Sequence, residues 1–419
     1  QKRIEDGSFG RMPYSWFYFD LVKNVSKDKT FHSCQIPLGL VEMLIKASTK
    51  EDDNVFVLFG GSGSEIIRCK ELKRNFATPI VLGGSHITVL KDKALLPCFD
   101  YGFVGEAEKS WENFLKFGYD RGLIYPEPIE DIDYILPPAR HLLKMGKYKI
   151  GTRDGRKRVA TIMASRGCPF KCIFCTTEVF GQKVRRRTPE FVVNEMVSCI
   201  ENYGTEHFFF FDDTLTLDKK YILRLCWLID GLGITFEGST RANLVDEEII
   251  SAMAEAGLNR ISFGLETVNP QIRKTIRKEV PLEAYITANR LTNKYGIETL
   301  NSCMIGLPGE TVGTIRETLS FLRHSKEVKQ ANLAIAVPYP GTELHSMATQ
   351  GKHGLKLLSE DFSKYWRYGS AVMNVGELTP QVLLQLQNDA FVSIYSAPWR
   401  WLPMIKRQGI MGFILMLIR

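Results

Sequence analysis

Three cysteines fall within eight residues, in Arg166-Gly-Cys168-Pro-Phe-Lys-Cys172-Ile-Phe-Cys175. Thiolates this close can meet at a single centre only from a loop wrapped around it. A structural zinc ion takes four N or S ligands, and no further Cys or His stands near enough in sequence to complete the set, so zinc needs a distant donor. An iron–sulfur cluster held by three cysteines keeps one iron open to substrate or cofactor, which is a functional arrangement. Cys34, Cys69, Cys98, Cys199, Cys226 and Cys303 are scattered, as small buried hydrophobes are. Nine cysteines in 419 residues are too sparse for a disulfide scaffold and too odd in number to pair fully, so a reducing, cytoplasmic setting is expected.

The elements around this loop read as α/β throughout. In the first part, apolar runs at 54–59, 79–82 and 101–104 each end in glycine, at Gly60-Gly61-Ser62, Gly83-Gly84-Ser85 and Gly105-Glu106. Helical stretches at 65–75 and 108–117 alternate with them, the pattern of a doubly wound parallel sheet whose ligands sit at the carboxyl ends of strands. Residues 125–138 turn proline-rich and acidic, as a linker does. Beyond them strands at 159–164, 207–211, 235–239, 260–264, 298–305 and 332–337 alternate with helices at 189–203, 219–232, 247–256, 282–295 and 312–325. This rhythm predicts a partial (β/α)6 barrel of the TIM type, with its chemistry at the C-terminal strand ends. The cysteine loop follows the first of these strands directly. The expected divisions are 1–122 for the first domain, 123–150 for the linker, 151–345 for the barrel and 346–419 for a helical tail, with a helix at 380–396.

The Cys-x3-Cys-x2-Cys spacing after the first strand of such a repeat resembles the radical S-adenosylmethionine (SAM) superfamily, over residues 159 to about 345. The resemblance implies that Cys168, Cys172 and Cys175 hold a [4Fe-4S] cluster whose open iron chelates the amino and carboxylate groups of SAM, which reduction cleaves to methionine and a 5'-deoxyadenosyl radical. It places Phe174 beside the adenine. Asp212 and Asp213, at a strand end, would accept from the SAM ammonium, although the usual Gly-Gly-Glu is absent; an N-cap before Lys219 is an alternative role for one of them. Arg241 would pair with the cofactor carboxylate, or else lie in a surface salt bridge. Glu266, in Gly264-Leu-Glu-Thr267, resembles a polar cofactor contact. Met304-Ile-Gly-Leu-Pro-Gly-Glu310 resembles the segment near the adenine, where Gly306 permits close approach; a plain turn explains Pro308-Gly309 equally well. Pro338-Tyr-Pro-Gly-Thr342 matches a family loop whose task could be structural.

The glycine-closed strands of the first part resemble the second half of the cobalamin-binding domain that precedes many of these enzymes. By that resemblance Gly60, Gly61, Ser62, Gly83, Gly84, Ser85, Gly105 and Glu106 cradle the corrin and its tail. The Asp-x-His-x-x-Gly sequence that supplies a lower axial histidine elsewhere is missing, and His86 does not replace it by spacing. The expected activity is therefore methyl transfer to an unreactive carbon by a cobalamin-dependent radical SAM enzyme. Cyclisation or rearrangement with the same cofactors is the alternative. A methylthiotransferase would use Cys34, Cys69 and Cys98 for a second cluster, but their surroundings lack that family's local patterns. The expected partners are a small-molecule substrate and an electron donor such as a ferredoxin or flavodoxin.

Composition is compatible with this reading: 44% hydrophobic and 24% charged residues describe a chain that folds almost throughout. The net charge of +7 comes from dispersed basic residues, an ordinary basic surface, and a nucleic-acid partner is not expected. The chain starts at Gln1, as a fragment or processed chain does, and no first strand or helix of the cobalamin-type domain is evident before residue 54. The apolar run at 410–418 is shorter than the ~20 residues a membrane span needs. With Trp399 and Trp401 beside it, the tail either docks on the barrel or anchors at an interface, and it permits a lipid-like substrate without requiring one.

Overall fold

The computed structural model describes residues 55–58, 80–97, 99–152 and 155–401. Two compact units divide the chain, residues 1–126 with 361–364 and residues 127–360 with 365–419.

In the first unit β1 (Val55–Leu58), β2 (Ile80–Gly83), β3 (Tyr101–Phe103) and β4 (Gly122–Ile124) lie side by side in that order, all parallel. Helix α1 (Ser85–Leu90) follows β2 and α2 (Glu108–Phe117) follows β3. Successive strand residues point to opposite faces. Val81 accordingly joins Phe103 and Ile124 in one apolar cluster, while Leu82 joins Ile87, Ala94 and Phe99 in another. Both faces are thus covered, as the sequence predicts for a doubly wound sheet. Trp111 and Phe114 of α2 lie edge-on to Phe103, with ring centroids 5.3 Å and 5.7 Å away. The helix expected at 65–75 lies outside the described residues, as do Gly60, Gly61, Ser62, Cys34, Cys69 and Cys98.

The second unit opens with an antiparallel hairpin of β5 (Lys149–Thr152) and β6 (Gly155–Ile162). A short ribbon, β7 (Ser165–Arg166) with β8 (Arg185–Arg186), brackets the cysteine loop. The repeats follow as α3 (Pro189–Tyr203), β9 (His207–Phe210), α4 (Lys219–Ile229), β10 (Thr235–Thr240), α5 (Glu247–Glu255) and β11 (Leu258–Glu266). They continue as α6 (Pro270–Thr275), α7 (Leu282–Lys294), β12 (Glu298–Ile305), α8 (Val312–His324) and β13 (Ala331–Ile335). The strand order is β13-β12-β11-β10-β9-β6-β5, six parallel strands with one antiparallel strand at the β6 edge. The partial barrel is borne out, as an open half-barrel. Side-chain caps start its helices: Thr188 for α3, Asp218 for α4, Asp246 for α5 and a Thr311–Thr314 capping box for α8.

An open barrel leaves an exposed strand edge, which must be covered. After α9 (Glu343–Thr349) and the hairpin β14 (Leu355–Leu357) with β15 (Met373–Val375), helix α10 (Pro380–Tyr395) does this at β13. Its Tyr395 hydroxyl donates to Ala331 O at 2.6 Å and its Gln387 amide to Leu333 O at 2.9 Å. Beyond it, buried Arg400 donates from Nη1 to Lys329 O at 2.6 Å and from Nη2 to Leu322 O. The described part of the tail is thus docked on the barrel; residues 402–419 lie outside the described residues. Among the described residues no helix is long and apolar enough to cross a membrane.

Residues 127–148 form a strap along α3 and β6. Arg185 donates to Ile129 O, Asp133 accepts from the Thr188 backbone and hydroxyl, and Val159 N donates to Tyr148 O. Arg140, buried, pairs with buried Glu195 at 2.6 Å and donates to Thr161 O at 2.7 Å.

Candidate active site at the strand ends of the half-barrel

The cysteine loop is fixed from several sides. Gly167 has φ 97°, and a Cβ there would collide with Lys183 O, so only glycine turns the chain into the loop. Asp212, at the end of β9, accepts from Ala164 N at 3.1 Å and from the Ser165 hydroxyl, tying the next strand end to the start of the loop. Cys168 N donates to Gly181 O and Cys175 N to Cys172 O. Farther along, Ile173 N donates to Ile276 O, and Ile173 O accepts from Leu344 N in α9. The loop is therefore held against elements of three different repeats.

The Cys172 thiol lies 3.9 Å from Arg277 O. Burial pushes this thiol up, with Lys278 and Arg241 working in the opposite direction. The Cys175 thiol is pushed up to about 12 by burial and then by Cys172, although the residue opens to solvent. Thiols that lie within each other's field but are raised by their surroundings need a bound cation to stay as thiolates. Among the described residues no group of three or more His, Cys, Asp or Glu is arranged to hold one metal ion. In an iron–sulfur cluster each thiolate takes its own iron, which suits three neighbouring thiols on one loop.

Two cations face this loop. The Arg241 guanidinium lies 3.7 Å from the ring centre of Phe170, between Cys168 and Cys172 in sequence, and its buried Nε has no hydrogen-bond partner in the protein. A buried, unsatisfied guanidinium N–H is an invitation to an anion. Lys278 is the second, and sequence reasoning missed it. Its ammonium is 2.6 Å from Glu266 Oε1, both side chains being about nine-tenths buried, and 5.8 Å from the Phe174 ring centre. Burial opposes the ammonium charge, but Glu266 leaves the Lys278 pKa raised overall. Glu266 itself sits at φ 61°, in the left-handed region that a non-glycine residue enters at a cost, next to a register shift between β11 and β12. A Cβ at Gly264 would collide with both members of the pair, which explains the glycine.

The chain's similarities point the same way. A model of the radical SAM superfamily matches residues 162–322. An uncharacterized methyltransferase of Pyrococcus horikoshii, PH0819, is 32% identical over 342 residues, covering 76% of this chain and 72% of that protein. The chain belongs to the radical SAM superfamily. A [4Fe-4S] cluster and SAM are the cofactors that membership implies, and the loop and its two cations suit an anionic cluster and a carboxylate-bearing ligand. An anaerobic magnesium-protoporphyrin IX monomethyl ester cyclase of Rubrivivax gelatinosus is 30% identical over 324 residues, 71% of this chain and 56% of that protein. Among solved structures, the radical SAM methyltransferase TsrM from Kitasatospora setae, with tryptophan and a SAM analogue bound, matches with TM-score 0.63 and 16% identity over 86% of this chain and 80% of that one. The same protein with cobalamin and a [4Fe-4S] cluster matches at 0.62 and 15%, over 86% and 81%. At that identity the likeness is one of fold. A DNA methylase model also matches residues 8–113, a quarter of the chain, and parallel sheets host many unrelated functions.

Within this radical SAM unit the structure sorts the residues singled out by sequence. Cys168, Cys172, Cys175, Phe174, Arg241 and Glu266 are brought to one end of the sheet. Asp212 is there too, but its oxygens are engaged by Ala164 N and Ser165, and it is 4% exposed, so it is placed as a loop tether. Burial pushes its carboxyl up to about 6 against those hydrogen bonds. Asp213 is exposed, and desolvation raises its carboxyl. Neither caps α4; Asp218 does, because the chain makes a further turn before Lys219. Gly306 has φ 83°, and the space where its Cβ would stand faces Leu383 of α10. Glu310 folds back onto Leu307 N at 2.9 Å, leaving one buried oxygen without a partner, and burial pushes its carboxyl up to about 8. In the 338–342 loop, Thr342 caps α9.

In the first unit, Gly84 (φ 94°) and Gly105 (φ 67°) stand at the ends of adjacent strands. Thr88 clasps them: its hydroxyl donates to Gly84 O and accepts from Gly105 N, both at 2.8 Å. Gly83, Ser85 and Glu106 flank this clasp.

Proposed function

We propose that this chain is a cobalamin-dependent radical SAM methyltransferase acting on an unactivated carbon. The observation that carries the reading is the 32% identity, over 76% of this chain, to a protein named as a methyltransferase, with the three-thiol loop lying inside the superfamily match. Cys168, Cys172 and Cys175 would hold the cluster. Arg241, through its unpartnered Nε, would take the SAM carboxylate, and Asp213 rather than Asp212 has an acceptor to offer the ammonium. Glu266 and Lys278 present opposite charges beside Phe174, the ring expected near the adenine. When bound, the cluster and SAM supply a hydrogen-abstracting radical, and cobalamin supplies the methyl carrier. The protein's own share is to fix these groups and keep water from them. For the first unit, read as cobalamin-binding over residues 1–122, Gly83, Gly84, Ser85, Gly105 and Glu106 offer backbone at strand ends, where doubly wound sheets bind ligands. Residues 151–345 would be the radical SAM domain and 346–419 its helical cover. The partners in this scheme are a small-molecule substrate and a ferredoxin- or flavodoxin-like donor in a reducing cytoplasm.

A second reading, ring closure or rearrangement with the same cofactors, is favoured by the likeness to the Rubrivivax cyclase. The experiment is anaerobic reconstitution with iron, sulfide and cobalamin, then reduction with SAM and joint quantification of 5'-deoxyadenosine and S-adenosylhomocysteine. Both products with cobalamin retained are expected. Deoxyadenosine alone would favour the second reading, and neither product, with zinc in place of iron, would overturn both.

A further inference from the structure

The strand ends are one edge of a longer surface on the inner face of the half-barrel, the face to which Arg241 and Glu266 belong. Along it Phe209, Ser239, Ser262, Leu300, Ser302 and Met304 are only half-buried. The residues between them that face the helices, such as Phe208, Phe210, Ile261 and Phe263, are at most 1% exposed. Strand register gives the inner face the form of a trough. Ser239 of β10 lies beside Ser262 of β11, and Gly264 lies beside Ser302 of β12, so small side chains keep the floor low. On one flank the rings of Phe209 and Phe211 stand 4.8 Å apart, and Phe211 is 58% exposed. Leu300 and Met304 of β12 form the other flank. An aromatic pair left open beside a low polar floor serves no packing need of the fold itself.

Each end of the trough holds a buried polar atom without a partner, Arg260 Nε on β11 and Asn332 Oδ1 on β13. Asn332 stands in register with Ser302, and Ser302 with Gly264, four residues beyond Arg260. Strand geometry therefore separates the two by roughly 16 Å. A buried donor and a buried acceptor left open call for a ligand that accepts at one end and donates at the other. Charge decides its class. Arg260 lies between Glu237 and Glu298 in register, buried His207 is 3.9 Å from Glu237, and Lys157 reaches the Thr235 hydroxyl at the foot of β10. Two acids thus face two bases, and no net charge remains to hold an anion. We infer that this trough takes the substrate, a neutral, elongated molecule with a flat ring body against the phenylalanines and a hydroxyl at each end, met by Arg260 and Asn332. The inference rests on the reading of the adjoining strand ends as the SAM site, and it makes Arg260 and Asn332 specificity-determining residues.

The test is equilibrium dialysis of the cluster-loaded full chain with estradiol, a neutral diol of fused rings, and with estradiol 3-sulfate, its anionic counterpart. Estradiol should bind, and the sulfate should bind more weakly by about tenfold or more. Phe211→Ser should weaken estradiol by about tenfold and Asn332→Ala by about fivefold, while Ser262→Leu, which raises the floor, should abolish binding. Trp227→Ser, at an exposed site on α4, should bind as the native chain does. Circular dichroism and iron content check that each variant is folded and loaded. Absence of estradiol binding, equal or tighter binding of the sulfate, or binding unchanged by both Phe211→Ser and Ser262→Leu would overturn the proposal. The expected binding pattern in a native chain that forms no 5'-deoxyadenosine would uphold the trough and strike the reaction proposed above instead.

Discussion

At the strand ends of the first unit, the groups offered to a ligand are backbone, shaped by Gly84 and Gly105 and clasped by the single hydroxyl of Thr88. At the strand ends of the half-barrel they are side chains that already bind one another: Asp212 on the loop backbone, Glu266 on Lys278, Arg241 over Phe170. A backbone cradle adapts to a large ligand and loses its grip gradually as neighbours change. A constellation of buried charges does not degrade gradually, because removing one partner strands the other in a low-dielectric site. The two units should therefore respond to substitution on different scales.

The largest effect is expected at Cys172. Cys172→Ala should abolish iron retention and 5'-deoxyadenosine formation while the first unit stays folded; iron assay and circular dichroism check both halves. Next is the buried pair. Lys278→Met leaves Glu266 buried without its ammonium and should cost about 3–5 kcal/mol in denaturant unfolding, while Lys278→Met/Glu266→Gln should recover most of that loss. If the single and double variants unfold alike, the pair is not the unit described.

Glu310 sharpens the comparison by pH. Its carboxyl is raised from 4.5 to about 8 in the folded chain, so between those values the native state holds a proton that the unfolded chain has released. Stability should therefore fall as pH rises from about 5 to 8, by up to roughly 4 kcal/mol from this residue. Glu310→Gln should flatten that slope, measured by denaturant midpoints across pH. The smallest effect belongs to the first unit. Thr88→Val should cost only about 1 kcal/mol and weaken cobalamin retention without moving iron content, checked by absorbance after gel filtration.

How much of this was legible in the sequence depended on range. The cysteine loop is local, three thiols in eight residues, and its place after a strand follows from periodicity. The helices expected at 189–203 and 282–295 were read from the local strand–helix rhythm for the same reason, and they run over 189–203 and 282–294. Asp212 was read as a cofactor contact or an N-cap; its hydrogen bonds to Ala164 N and Ser165, 48 and 47 residues away, carry no signal in the sequence. The Glu266–Lys278 pair spans only 12 residues, yet it depends on a left-handed kink at a glutamate and on the short α6. Neither carries a compositional signature. Gly306 was read for close backbone approach; its φ of 83° and the nearness of Leu383, on a helix far along the chain, were not in the local pattern.

The most direct test of the central claim, that the half-barrel's strand ends build an open-iron cluster site, is electron paramagnetic resonance of the reconstituted, reduced chain with and without SAM. The account predicts about four iron atoms per chain and a cluster signal that shifts when SAM is added, with the shift lost in Arg241→Leu. A signal indifferent to SAM in the native chain, or zinc in place of iron, would contradict it.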